Sequence, residues 1–261
     1  MTALLERPAG TGRVPTKPPM PREHGAWGIL LIPFATAVGI AGIWNLQTTL
    51  LLVSVMCFYV ARTSFLKQDT RWTLFLLAGS AMCLAPLLGM RRLWWLAALG
   101  AAAAPLAFRR TGRSVAAQLV AVAGLTLTAP AAWYVATGKL DRHAWLLWGL
   151  NFLYFAGGVF YVKMHVAAAI RRKLFKTTAE RISWGATSLA FYGGLALCVA
   201  GLAMAQLIPW LSTLAFAPVV VRATIGVGRL SSQLHIKRLG WTEVAHSIVF
   251  AVLLILGGWR A

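Results

Sequence analysis

Long apolar segments alternate with short polar and basic segments along most of the chain. A membrane-spanning helix needs roughly 20 consecutive apolar residues. The pattern predicts nine such helices, at residues 26–44, 49–66, 72–90, 93–108, 115–135, 143–163, 183–205, 207–225 and 242–259. The fourth span contains Pro105, and the eighth contains Pro218, where we expect a kink. The predicted fold class is therefore an all-α, polytopic integral membrane helical bundle.

The beginning of the chain has a different composition from the rest. Residues 1–22 contain five prolines and four basic residues but no apolar segment. Such a segment cannot bury enough apolar surface to order itself. We therefore predict a disordered cytoplasmic tail over residues 1–22 and a single transmembrane helical domain over residues 23–261.

The basic residues between the spans predict the orientation. The chain has 25 Lys and Arg residues against 6 Asp and Glu residues. If the N-terminus is cytoplasmic, 20 of the 25 basic residues fall in cytoplasmic segments, as the positive-inside rule requires. The C-terminus is then expected outside. Topology in a lipid bilayer accounts for this charge, and since no nucleic-acid module is recognisable, we expect no nucleic-acid partner.

Ionisable residues are scarce at mid-span and concentrate at the predicted cytoplasmic ends. Polar groups at such positions are candidates for function. The candidate substrate-binding residues lie at the cytoplasmic ends of spans two and six or just beyond them, and are Arg62, Lys67, Asp69, Tyr161, Lys163, Arg171 and Arg172. Helical spacing predicts that Arg62 and Asp69 share one face, and that Tyr161, His165 and Arg172 share another.

A second set of residues at the cytoplasmic ends mixes histidine with glutamate. Glu23 and His24 precede span one, and His165 follows span six. Glu243 and His246 lie three residues apart, on one helix face. Because a Glu-x-x-His pair can bind metal in a helical bundle, these five residues predict a divalent metal site. The alternative is that the carboxylates and imidazoles only cap helix starts.

Three segments carry a resemblance to a known family. The sequence REHGAW at residues 22–27, followed by an apolar span through Pro33, resembles the opening of the YwiC-like family of bacterial membrane proteins. YVK at residues 161–163 and GWTEVAH at residues 240–246 extend the likeness. The resemblance implies a protein of the bacterial cytoplasmic (inner) membrane, and it brings no reaction mechanism with it.

The layout more distantly resembles the UbiA prenyltransferase superfamily. That likeness implies nine spans and a site at the cytoplasmic ends of spans two and six, with comparable segments at 105–113, 124–138 and 164–182. Those enzymes hold Mg²⁺ and a prenyl diphosphate through aspartate-rich motifs, and hard cations bind several oxygen ligands. Here Asp69 is the one aspartate in the corresponding segments. Prenyl transfer by that chemistry is therefore not expected.

The leading hypothesis is a binding protein with a pocket on the cytoplasmic side. Its basic residues would hold an anionic lipid, an isoprenoid-type lipid or a small anion directly, without metal. One alternative is a membrane enzyme that depends on a metal or on the His and Glu residues. Another is a small-solute transporter, which ranks last because the chain lacks a clear internal repeat and mid-span charge.

Overall fold

A computed structural model describes residues 24–89, 93–108, 114–172, 174–230 and 236–259. All regular elements within these ranges are helical: α1 His24–Ala41, α2 Leu46–Leu66, α3 Thr70–Gly89, α4 Trp95–Phe108, α5 Val115–Thr126, α6 Thr128–Thr137, α7 Arg142–Ile170, α8 Thr178–Met204, α9 Trp210–Thr213, a 3₁₀ turn Leu214–Phe216, α10 Ala217–Gly228 and α11 Ile236–Ile255. The predicted tail over residues 1–22 lies outside the described residues.

Within the described ranges, six helical segments are long and apolar enough to cross a membrane. They are α2, α3, α7 and α8, together with α5 joined to α6 and α9 joined to α10. Three shorter apolar helices, Trp27–Ala41, Trp95–Ala104 and Leu239–Ile255, coincide with the first, fourth and ninth predicted spans. The predicted class of polytopic helical membrane protein is confirmed.

Two of the spans are interrupted. The fifth breaks between Thr126 and Thr128, where the Thr128 hydroxyl donates to the carbonyl of Leu30 in α1, 3.0 Å away. The eighth is interrupted by the 3₁₀ turn, after which Pro218 stands in the first turn of α10. Proline fits there because an N–H in the first turn has no helical partner. The eighth span is thus interrupted just before Pro218, while the kink predicted at Pro218 stays a prediction.

The connection between α7 and α8 is shorter than predicted. The predicted spans end at residue 163 and begin again at residue 183, which leaves a loop over residues 164–182. That loop is wrong, because α7 continues to Ile170 and α8 already begins at Thr178. The alanine-rich end of α7 favours continued helix. Thr177 caps α8, its hydroxyl accepting a hydrogen bond from the backbone N–H of Glu180 at 3.2 Å.

Helix α7 packs most extensively against α1, α5, α6 and α8. Its Tyr154 stacks on Phe250 of α11 with ring centroids 4.0 Å apart, in the buried core. The fully buried Asn151 donates to the Thr36 hydroxyl of α1 at 3.1 Å. Interhelical hydrogen bonds of this kind join helices where the surroundings are apolar. These contacts fix α7 as one wall of the site described next.

Candidate functional site

A cavity of about 1580 Å³ lies among the helices. Side chains of α1 to α7, α10 and α11 line it, and most of them are apolar. Pockets for small molecules usually measure roughly 300–1,000 Å³. The cavity is therefore larger than a small polar metabolite needs, and its lining favours a ligand with a substantial apolar part.

Helices α2 and α7 each line the cavity along a continuous helical stripe. On α7 the stripe runs from Tyr154 to Ile170, and on α2 from Leu51 to Leu66. At 1.5 Å per residue these stripes are about 24 Å and about 22 Å long. The hydrocarbon core of a bilayer is roughly 30 Å thick. The length of each stripe is thus most of the thickness of a hydrocarbon core.

Four charged side chains stand among the described residues that line the cavity: Arg62, Lys163, Arg222 and Glu243. Arg62 lies eleven residues beyond the start of the α2 stripe, and Lys163 lies nine residues beyond the start of the α7 stripe. Mostly apolar lining, about 16 Å and about 14 Å long, therefore precedes the two cations. Both cations occupy the C-terminal half of their stripe.

Arg222 of α10 and Glu243 of α11 form an ion pair in the cavity wall. Arg222 Nη1 donates to Glu243 Oε1, and the two side chains are 10% and 22% exposed. The guanidinium also lies over the ring of Tyr161, with Cζ 4.3 Å from the ring centroid. Buried charges in proteins are paired because an isolated one is strongly unfavourable. The pair can therefore stand in an apolar wall.

Glycines allow the helices around this ion pair to approach closely. A Cβ at Gly226 of α10 would lie 2.6 Å from the Tyr161 ring, closer than packed atoms approach. A Cβ at Gly158 of α7 would lie 3.4 Å from Glu243 Oε2. Small residues at helix interfaces commonly serve this purpose. They place the Arg222–Glu243 pair directly against α7.

The cavity brings together three of the residues predicted from the sequence. Arg62, Lys163 and Glu243 line it. Tyr161 is buried at 7% exposure and contacts Arg222 without lining the cavity. Lys67, Arg171 and Arg172 are exposed and do not line it. The candidate substrate-binding set is thus divided between the cavity and the surface.

The shared face predicted for Arg62 and Asp69 is wrong. Helix α2 ends at Leu66 and Gln68 has a φ of 61°, so Asp69 cannot share a helix face with Arg62. Asp69 instead accepts a hydrogen bond from the backbone N–H of Trp72 at 3.3 Å, at the start of α3. This is the ordinary position of aspartate as a helix N-cap.

The face predicted for span six is correct in part. Tyr161 and His165 do lie together, with ring centroids 4.4 Å apart. Arg172 does not join them, because α7 ends at Ile170 and Arg172 has a φ of 45°.

The predicted metal residues have other contacts where the structure describes them. His165 and His246 each place Nδ1 against the backbone carbonyl four residues earlier, at 3.0 and 2.7 Å, while Glu243 pairs with Arg222. Glu23 and the side chain of His24 lie outside the described residues. Among the described residues, no group of three His, Cys, Asp or Glu could hold a metal ion. A site that includes Glu23 and His24 stays a prediction.

Sequence reasoning missed Arg222 as a site residue. It was assigned to the charge that sets topology, although it lies inside the span predicted at 207–225. An ionisable residue within an apolar span is by itself a signal of function. The position of Arg222 within a span could be read from the sequence. Its pairing with Glu243, 21 positions later, could not.

Two comparisons with known proteins agree with the family resemblance. The family model described as YwiC-like protein matches residues 20–133. A Bacillus subtilis (strain 168) protein, "Uncharacterized protein YwiC", is 26% identical over 251 residues, covering 91% of this chain and 97% of that protein. No solved structure matches. The predicted YwiC-like resemblance is confirmed, while the likeness to the UbiA superfamily stays a prediction.

Proposed function

We propose that this YwiC-like membrane protein binds an anionic amphiphile in the cavity between α2 and α7. The ligand would be an anionic lipid or an isoprenoid-type lipid with an anionic head. Arg62 and Lys163 would hold the anion, and the apolar stripes would receive the tail. One observation supports this proposal. The mostly apolar lining that precedes Arg62 on α2 is about 16 Å long, and the lining that precedes Lys163 on α7 is similar, at about 14 Å.

The charge of the lining favours an anion over a neutral ligand. Arg222 and Glu243 neutralise each other, and the two other charged residues of the described lining, Arg62 and Lys163, are both basic. Cationic side chains in an apolar, partly enclosed space are stabilised by an anionic partner. Arginine and lysine also form the strong, charge-assisted hydrogen bonds that phosphate and carboxylate groups accept.

The same lining disfavours a divalent cation as the link to the anion. The described lining residues include one carboxylate, Glu243, and it is engaged by Arg222. Magnesium and calcium bind through several oxygen ligands. Direct binding by basic side chains needs no such ligands, and it agrees with the presence of a single aspartate, Asp69, in the segments compared with the UbiA superfamily.

Measuring lipid binding by a double variant would test the proposal. The purified protein, reconstituted in nanodiscs of a zwitterionic lipid, would be titrated with dioleoyl phosphatidylglycerol and, separately, with geranylgeranyl phosphate. We expect the Arg62→Gln/Lys163→Gln variant to lose at least about tenfold in affinity for whichever probe the wild type binds. The matched control is Lys67→Gln/Arg171→Gln, which removes the same charge from exposed positions at the ends of α2 and α7.

The outcomes separate the proposal from its competitors. Equal losses in the two double variants would mean that charge acts only at the membrane surface, which contradicts a cavity site. Binding of soluble glycerol phosphate as tight as that of the lipid would show that the apolar stripes receive no tail, and would likewise contradict it. The relative affinities of the phosphatidylglycerol and the geranylgeranyl probe distinguish the two lipid sources.

A further inference from the structure

The two side chains of the ion pair in the cavity wall, Arg222 and Glu243, differ in how accessible they are. Arg222 Nε and Nη2 are buried, and Nη1 donates to Glu243. The Glu243 side chain is about twice as exposed as that of Arg222, at 22% against 10%, and both residues line the cavity. The group that a ligand in the cavity can reach is therefore the carboxylate, which accepts hydrogen bonds.

The position of this carboxylate relative to the cations follows from α7. Glu243 Oε2 lies beside Gly158, where an added Cβ would be 3.4 Å away. Lys163 stands five residues further along the same helix, a rise of about 7.5 Å. The carboxylate is thus on the side of Lys163 where the apolar stripe lies. A ligand with its anion at Lys163 and its tail along the stripe would pass Glu243 just after the anion.

We propose that Glu243 is a ligand subsite that accepts a hydrogen bond from a hydroxyl group placed between the anion and the apolar tail. This inference rests on the proposed function. A hydroxyl fits better than an ammonium group, because Arg222 already balances the charge of Glu243. The ligand class is then a hydroxylated phosphate amphiphile, of which a monoacyl glycerol phosphate is the simplest member.

Two probes that differ by one hydroxyl test the subsite. One is 1-oleoyl-glycerol 3-phosphate, and the other is oleoyl-propanediol phosphate, which has the same charge and tail but lacks the hydroxyl. The wild-type protein in zwitterionic nanodiscs should bind the hydroxylated probe at least about tenfold more tightly, since the acceptor is charged. The Arg222→Met/Glu243→Met variant should bind both probes with the affinity that the wild type has for the probe without the hydroxyl.

This double variant is chosen because exchange of a buried ion pair for apolar side chains of similar volume is usually tolerated. A preference that survives in the double variant would overturn the subsite. Equal binding of the two probes by the wild type would overturn it without any variant, while leaving the proposed function intact. Failure of the wild type to bind either probe would instead overturn the proposed function, and the subsite with it.

Discussion

The buried ion pair should make the stability contributions of Arg222 and Glu243 strongly interdependent. Arg222→Met leaves the carboxylate without its partner, and breaking a buried pair in this way costs about 3–5 kcal/mol. Glu243→Met leaves the guanidinium without its partner, at a similar cost. The double variant removes both charges, and such exchanges are often neutral or stabilising by about 1–4 kcal/mol. We therefore expect two unstable single variants and a double variant close to the wild type.

The burial of the pair sets this magnitude. Its side chains are 10% and 22% exposed, and two unit charges about 4 Å apart attract by about 4 kcal/mol at an effective dielectric constant of 20. Arg171 is the contrasting case, since it is exposed and lies 5.5 Å from the ring centroid of Trp184. An exposed cation–π contact contributes about 0.5–1 kcal/mol. Arg171→Met is therefore a matched control with a small expected loss.

The assay is equilibrium unfolding in mixed micelles, with increasing SDS and tryptophan fluorescence as the signal. The free energies of unfolding of the wild type, the two single variants and the double variant give the coupling energy directly. We expect a coupling of about 3 kcal/mol or more. A coupling below about 1 kcal/mol, the value of a surface pair, would refute the reasoning. So would an Arg222→Met variant as stable as Arg171→Met.

Two further results are expected. Gly226→Ala should lower the free energy of unfolding by about 1–3 kcal/mol relative to Gly228→Ala. The new Cβ at Gly226 meets the Tyr161 ring, whereas that at Gly228 meets nothing within 4 Å. In a Tyr161→Leu background the difference between the two alanine variants should shrink, and an unchanged difference would contradict the clash with Tyr161. Excess EDTA should leave the affinity for the lipid probes unchanged, because the anion is held by side chains. A large loss of affinity would favour the metal-dependent alternative.

The positions of the spans could be predicted because they depend on a local property. A helix that crosses the bilayer needs a long apolar segment whatever its neighbours are. Breaks within the spans depend on other helices. The interruption at Leu127 coincides with a hydrogen bond from Thr128 to Leu30 of α1, a partner 98 residues away that no local pattern indicates.

The site could be predicted only where helical phase continued as expected. Arg62 and Lys163 lie inside their helices and do line the cavity. Asp69 follows Gln68, which has a positive φ, and Arg172 itself has a positive φ. Both residues lie beyond the end of their helix, so the 3.6-residue period does not give the direction of their side chains. The pairing of Arg222 with Glu243 depends on the packing of α10 and α11 against α7, and spacing along the chain carries no information about it.

The Arg222–Glu243 pair shows why the spacing of Glu243 and His246 alone could not establish a metal site. Glu243 and His246 have the spacing of a metal-binding pair on one helix face, and spacing alone cannot exclude that use. A carboxylate can serve as a metal ligand or as the partner of a buried guanidinium. A nearby arginine favours the second role, because its positive charge repels a metal cation. Arg222 supplies that charge within hydrogen-bonding distance of Glu243. Under the proposed function, the carboxylate would accept a hydrogen bond from the ligand, and Arg62 and Lys163 would bind its anion.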